Sequence, residues 1–170
     1  MYLPSEDTYL IAECARQYRG RWALEIGAGS GAVLSALAEN FENVAGSDID
    51  LDSLRHCRAQ DPGFMLVCCD AASAFRGAFD LIVSNPPYLP DDGKNDATVH
   101  GGPSGIETTV HFVQSALPLL AKDGRMLVVM SSLADRSSLD YLVNERKLKI
   151  KVVKEKALFF ERLSVVELTF

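Results

Sequence analysis

Apolar stretches long enough to cross a bilayer, roughly 18 residues or more, are missing from this 170-residue chain. The opening MYLPSEDTYL carries acids where a secretory signal has basic residues. Positive charge is scarce: 17 Lys and Arg stand against 23 Asp and Glu, a net charge of −6. That field repels a phosphate backbone and makes nucleic acid an unfavoured direct substrate. The four cysteines, Cys14, Cys57, Cys68 and Cys69, form no CxxC pair, and His56, His100 and His111 lie in different segments without ligand spacing. No metal site is expected. The thiols read as buried groups in a reducing cytoplasm. Repeats and low-complexity tracts are absent, so residues 1–170 are expected to form a single domain.

What remains is a regular alternation of apolar strands and amphipathic helices. Ser5 caps an expected helix over 5–18, with Ile11, Cys14, Ala15 and Tyr18 on one face. WALEI is a strand running into GAGSG and the helical AVLSALAEN. NVAGSD, FMLVCCD and FDLIV are further strands, with a helix capped by Asp50 after the first of them. IETTVHFVQSALPLLA reads as a helix stepped at Pro118, followed by a strand RMLVVM and a helix SLDYLVNER. LKIKVVK alternates Leu148, Ile150 and Val152 with lysines, and RLSVVELTF follows as another strand. Alternating strand and helix implies a parallel, doubly wound sheet, while two terminal strands in succession imply an antiparallel hairpin at one edge.

Ligands in such sheets bind beyond the carboxyl ends of the strands. Those ends carry Glu25 with Gly27, Gly29 and Gly31, then Asp48, Asp70 and Asn85. Gly27, Gly29 and Ala32 also fit a loose dinucleotide pattern, which keeps a dehydrogenase in view. Three carboxylates around one glycine turn suit a cationic ligand better than a pyrophosphate. S-adenosylmethionine, with a sulfonium and an ammonium, is such a ligand.

The fourth strand exits into SNPPYLP, residues 84–90. Proline after Asn85 holds that residue extended, and Pro86 and Pro87 offer carbonyls without N–H groups. The Asn85 side-chain oxygen and the Pro86 carbonyl can accept both hydrogens of a planar –NH2, with Tyr88 stacked on its face. The segment reads as a clamp for an amide or an exocyclic amine. Nothing in the sequence marks a dedicated base. The HGGPSG segment, containing His100, belongs to an expected active-site loop over 85–105.

With EIGAGSG, NPPY, PSEDT and ERLSVVEL together, the chain resembles the class I SAM-dependent methyltransferases, and within them the HemK-like protein-glutamine methyltransferases of the archaeal and eukaryotic branch. The resemblance implies an α/β, Rossmann-like fold: a mostly parallel seven-stranded sheet with an antiparallel C-terminal strand and helices on both faces. It implies S-adenosyl-L-methionine as cofactor, held by Thr8, Glu25, Gly27, Gly29, Asp48, Asp70 and Ala71. Asn85, Pro86, Pro87 and Tyr88 correspond to the substrate clamp, with Asn85, Pro86 and Tyr88 as its catalytic members. The implied substrate is the GGQ glutamine of a class I peptide release factor. The lack of a separate N-terminal helical domain matches the same branch, as does a small zinc-binding activator protein that would pair with an edge formed by VAGSD and FMLVCC. The chain departs from the family's wording at Asp50 in SDID and in the acidic DDGKND loop.

Three other readings compete. An adenine-N6 methyltransferase on DNA or RNA would use the same clamp, but the acidic charge opposes it. A non-catalytic SAM-binding subunit leaves the intact NPPY without a task, and so does a dehydrogenase.

Overall fold

The computed structural model describes residues 3–91, 93 and 98–170. Five strands, β1 (Gly20–Ile26), β2 (Phe41–Asp48), β3 (Met65–Cys68), β4 (Phe79–Ser84) and β5 (Leu120–Ser131), run parallel. Two more, β6 (Lys149–Ala157) and β7 (Arg162–Thr169), close a seven-stranded sheet in the order β3-β2-β1-β4-β5-β7-β6. β7 is antiparallel to both neighbours, as the expected terminal hairpin requires.

Both faces of the sheet are covered, which explains why its strands read as apolar runs rather than clean alternations. Leu127 and Val129 of β5 point into one core with Leu81, Val83, Leu163 and Val165. Helices α1 (Glu6–Ala15), α2 (Ala32–Ala38) and α3 (Leu51–Gln60) cover that side through residues such as Ile11, Leu34 and Cys57. Met126 and Val128 point the other way, into a core closed by Val113 of α4 (Glu107–Ala116) and Leu139 and Leu142 of α5 (Ser137–Glu145). Glu167 is the one acid buried within a strand interior of β7; it is held by the Tyr18 hydroxyl at 2.8 Å and by Arg125 at 2.9 Å.

Several boundaries differ from the sequence reading. α1 stops at Ala15 rather than Tyr18, because the Gln17 and Tyr18 N–H groups bond back three residues and tighten the chain into a turn. The helix before Pro118 ends at Ala116; Leu117–Leu119 form one 3-10 turn, and Leu120 and Ala121 already belong to β5. A register shift in β6 between Val152 and Lys154 breaks the alternation, so Val152 is left exposed and Val153 packs inward instead. Two cysteines are corrections: Cys14 and Cys57 are buried, but Cys68 is exposed and Cys69 half-buried, because β3 is an edge strand. VAGSD does not lie on an edge; β2 sits between β1 and β3, and of these two strands only β3 is an edge. Most of DDGKND, at 92 and 94–96, falls outside the described residues.

Candidate active site

Strand order reverses between β1 and β4, whose carboxyl ends therefore part and leave a crevice. A cavity of about 670 Å³ opens there, within the roughly 300–1,000 Å³ common for ligand sites. Thr8, Glu25, Gly27, Gly29, Asp48, Asp70, Ala71, Asn85, Pro86, Pro87 and Tyr88 all line it.

The glycine turn hangs from β2. Gly27 and Ala28 both donate their N–H to the Ser47 carbonyl, at 2.9 and 2.8 Å. Gly27 has φ +80°, a left-handed conformation that a side chain would strain, and the Phe112 ring of α4 lies close to where a Cβ would stand. Asp48 fixes the rest of the turn: one oxygen accepts the Gly29 N–H and the other the Asp50 N–H, each at 2.8 Å. Asp50, in turn, caps α3 by accepting from the Asp52 and Ser53 N–H groups, at 3.1 and 3.3 Å. The Ser53 hydroxyl, and then these N–H groups, hold its carboxyl below its usual value.

Glu25 is 3% exposed, and its Oε2 has no hydrogen-bond partner among the described residues. Burial, followed by the charge of Asp48, holds its carboxyl well above the usual value. A buried acceptor of this kind is costly unless a ligand group donates to it. Burial first, and the neighbouring Glu25 and Asp48 second, push the Cys57 thiol up to about 11, so that cysteine is not a nucleophile at neutral pH. On the far wall, Asp70 accepts or shares a hydrogen bond with His111 at 2.8 Å, and Ala71 follows it with φ +46°.

The clamp is anchored to both cores. Ser84 donates its hydroxyl to the Ile26 carbonyl at 2.9 Å, which ties the end of β4 to the start of the glycine turn. Asn85 Oδ1 is buried and unpartnered among the described residues, like Glu25 Oε2. Tyr88 packs against the α1 side and donates its hydroxyl to Asp7 Oδ2 at 3.0 Å. Asp7 is 2% exposed. Thr8, beside it, accepts the Ser5 N–H at 3.3 Å and so also serves the cap of α1. Residues 98–105 fold back along the exit from the clamp: Leu89 donates to Val99, and Gly101 to Leu89, both at 2.9 Å.

Sequence reasoning placed the strand-end acids and the clamp but assigned nothing to Asp7, Ser47, Ser84, His111 or Glu161, all of which line or brace the cavity. Asp7 lies within PSEDT and Glu161 within ERLSVVEL, so the motifs that carried the resemblance already contained two of them. Among the described residues no cluster of side chains suits a metal ion, and no helix is long and apolar enough to cross a membrane.

A solved complex from E. cuniculi, Mtq2-Trm112, responsible for methylation of the translation termination factor eRF1, shares the fold at TM-score 0.80 and 23% identity, covering 98% of this chain and 96% of that one. A Methanocaldococcus jannaschii protein, provisionally named a protein N5-glutamine methyltransferase, is 26% identical over 98% of this chain and 90% of its own length. A release factor glutamine methyltransferase of Bradyrhizobium diazoefficiens is 30% identical over 74% of this chain, which spans only 51% of that protein. A tRNA1(Val) (adenine(37)-N6)-methyltransferase of Pedobacter heparinus is 28% identical over 73% of this chain and 58% of its own length. The family described as the methyltransferase small domain matches residues 6–160. The chain is thus a Rossmann-like methyltransferase that takes S-adenosylmethionine as cofactor, and it belongs to the methyltransferase small domain family.

Proposed function

We propose that the chain methylates the side-chain amide nitrogen of a glutamine in a protein substrate, the GGQ motif of a class I peptide release factor. The observation that carries this reading is Asn85 Oδ1: a buried acceptor with no donor among the described residues, in a residue that lines the cavity beside a tyrosine whose hydroxyl is held by Asp7. A planar –NH2 satisfies it.

S-adenosylmethionine supplies a methyl group on a positively charged sulfur. Glu25 and the Gly27 turn would hold its amino-acid end, Asp48 its ribose hydroxyls, and Asp70 and Ala71 its adenine, with Thr8 at the opening. Asn85 and the Pro86 carbonyl take the two amide hydrogens, and Tyr88 covers the amide plane. An amide nitrogen is a weak nucleophile because its lone pair is delocalised, so the chain's contribution is aim and polarisation. The amide nitrogen would displace the sulfur at the methyl carbon, the sulfur leaving as a neutral thioether, and the surplus proton would pass to water beside the two acceptors. A small zinc-binding activator protein pairs with the open edge of β3, which otherwise leaves unpaired backbone groups beside the 39% exposed Met65. The reaction takes place in the cytoplasm.

Adenine-N6 methylation is the second reading, favoured by the Pedobacter heparinus relative and by the same clamp geometry. Incubation with labelled S-adenosylmethionine and either a release factor or adenine-containing DNA and RNA separates the two. Label in the release factor, abolished by Gln→Ala at its GGQ motif, supports the proposal; label in nucleic acid alone overturns it.

A further inference from the structure

The turn joining β6 to β7 is closed by the Leu158 N–H donating to the Glu161 carbonyl at 2.8 Å, which puts Phe159 and Phe160 at its two central positions. Glycine, proline, asparagine and aspartate are the usual residues there, because they supply a positive or preset φ or a side-chain bond to the turn's own backbone. Neither ring serves the fold. They are 91% and 84% exposed and meet each other edge to face, with centroids 4.6 Å apart.

The turn is nonetheless held firmly. Leu158 packs on the α1-side core, and Glu161 accepts a hydrogen bond from the Ser131 hydroxyl at the end of β5. Arg162 exchanges two bonds with Ser132: its N–H donates to Ser132 Oγ and its carbonyl accepts the Ser132 N–H, each at 2.9 Å. Leu133, one residue further, is 48% exposed. Leu158, Glu161 and Leu163 line the same cavity as Asn85 and Tyr88. A rigid aromatic tip therefore stands on the rim of the cavity.

Base stacking on exposed rings goes with a basic groove that follows the backbone. Here Glu155, Lys156, Glu161 and Arg162 flank the turn and cancel in charge, and Lys156 is already paired with Glu6. Such a tip suits a polypeptide, whose apolar side chains desolvate against rigid aromatics.

We propose that Phe159 and Phe160 anchor the protein substrate, gripping the segment beside the target glutamine while its amide enters the cavity. This rests on the glutamine reading above. The test is a Phe159→Ser/Phe160→Ser variant, assayed with labelled S-adenosylmethionine and a folded release factor. The expected result is a KM for the release factor raised at least tenfold, with kcat and cofactor affinity unchanged, and largely recovered in a Phe159→Leu/Phe160→Leu variant. An unchanged KM, with the unaltered protein labelling the release factor, overturns the anchor and leaves the glutamine reading standing. An unchanged KM together with loss of a dimer reassigns the rings to self-association and also overturns it. Label in RNA and none in the release factor, from the unaltered protein, removes both.

Discussion

A carbonyl oxygen buried without a donor forfeits about 1–3 kcal/mol, and Asn85 Oδ1 and Glu25 Oε2 are both in that state. Folding gains nothing from Asn85 Oδ1, so its removal separates activity from stability. Asn85→Ala is expected to lower kcat by about 10²–10³-fold, the scale for losing one oriented transition-state contact, while calorimetry finds cofactor affinity within about twofold. Glu25 adds a pH signature. Its carboxyl sits well above the ordinary 4.5 when folded, because of burial first and the charge of Asp48 second. The folded state thus holds a proton that the unfolded state has released, so this contribution to stability is full below about pH 4.5 and is lost as pH rises through the elevated value. Melting curves of the cofactor-free protein are expected to fall as pH rises above about 4.5, and Glu25→Gln flattens that fall. A slope identical in the two proteins defeats the assignment. At this scale Asn85 and Asp48 were legible because their neighbours, two prolines and a glycine turn, restrict what they can do. Asp7 was not: its partner Tyr88 is 81 residues away, and no local pattern encodes a contact made only after α1 docks.

Elements position these atoms, and the exit from the clamp depends on one glycine. At Gly101 a Cβ would stand 2.6 Å from the Gly105 carbonyl oxygen and closer still to that of Pro87, so the return segment can lie against Pro87–Leu89 only without a side chain. Gly101→Ala is expected to reduce kcat/KM by at least about tenfold while moving the thermal midpoint by only a few degrees, since every sheet strand is untouched. A parallel loss of stability and activity would instead make the segment structural. The sequence read each strand and helix by its period, and it failed where period carries no information. The step at Pro118 looked like continued helix because Leu119, Leu120 and Ala121 are apolar in either state; pairing of β5 with β4 decides it. Alternation in β6 misled at Val152 because a bulge costs no change in composition.

For the molecule as a whole, charge is the discriminating property. With a net charge of −6, affinity for unstructured RNA at about 0.15 M salt should be weaker than the roughly 10⁻⁴–10⁻⁶ M of ordinary non-specific binders. Mobility-shift titration reads this directly, and micromolar retention with a steep salt slope would favour the adenine reading. Strand alternation made the layered sheet legible. The openness of β3 was not, because which of two neighbouring strands lies outermost depends on the whole strand order.

That order also dictates when the protein becomes competent during synthesis. β7 emerges after β6 yet lies inside it, between β5 and β6. Until β7 arrives, β5 has an open side and β6 has nothing to join. Helix α1, made near the beginning, waits for Leu163 and Val165, made near the end, to complete the core beneath it. Its Asp7 accepts the Tyr88 hydroxyl above that core. A ribosome-bound chain short of β7 therefore carries the whole NPPY segment over a core that still lacks Leu163 and Val165, and is expected to be inactive in a truncation assay.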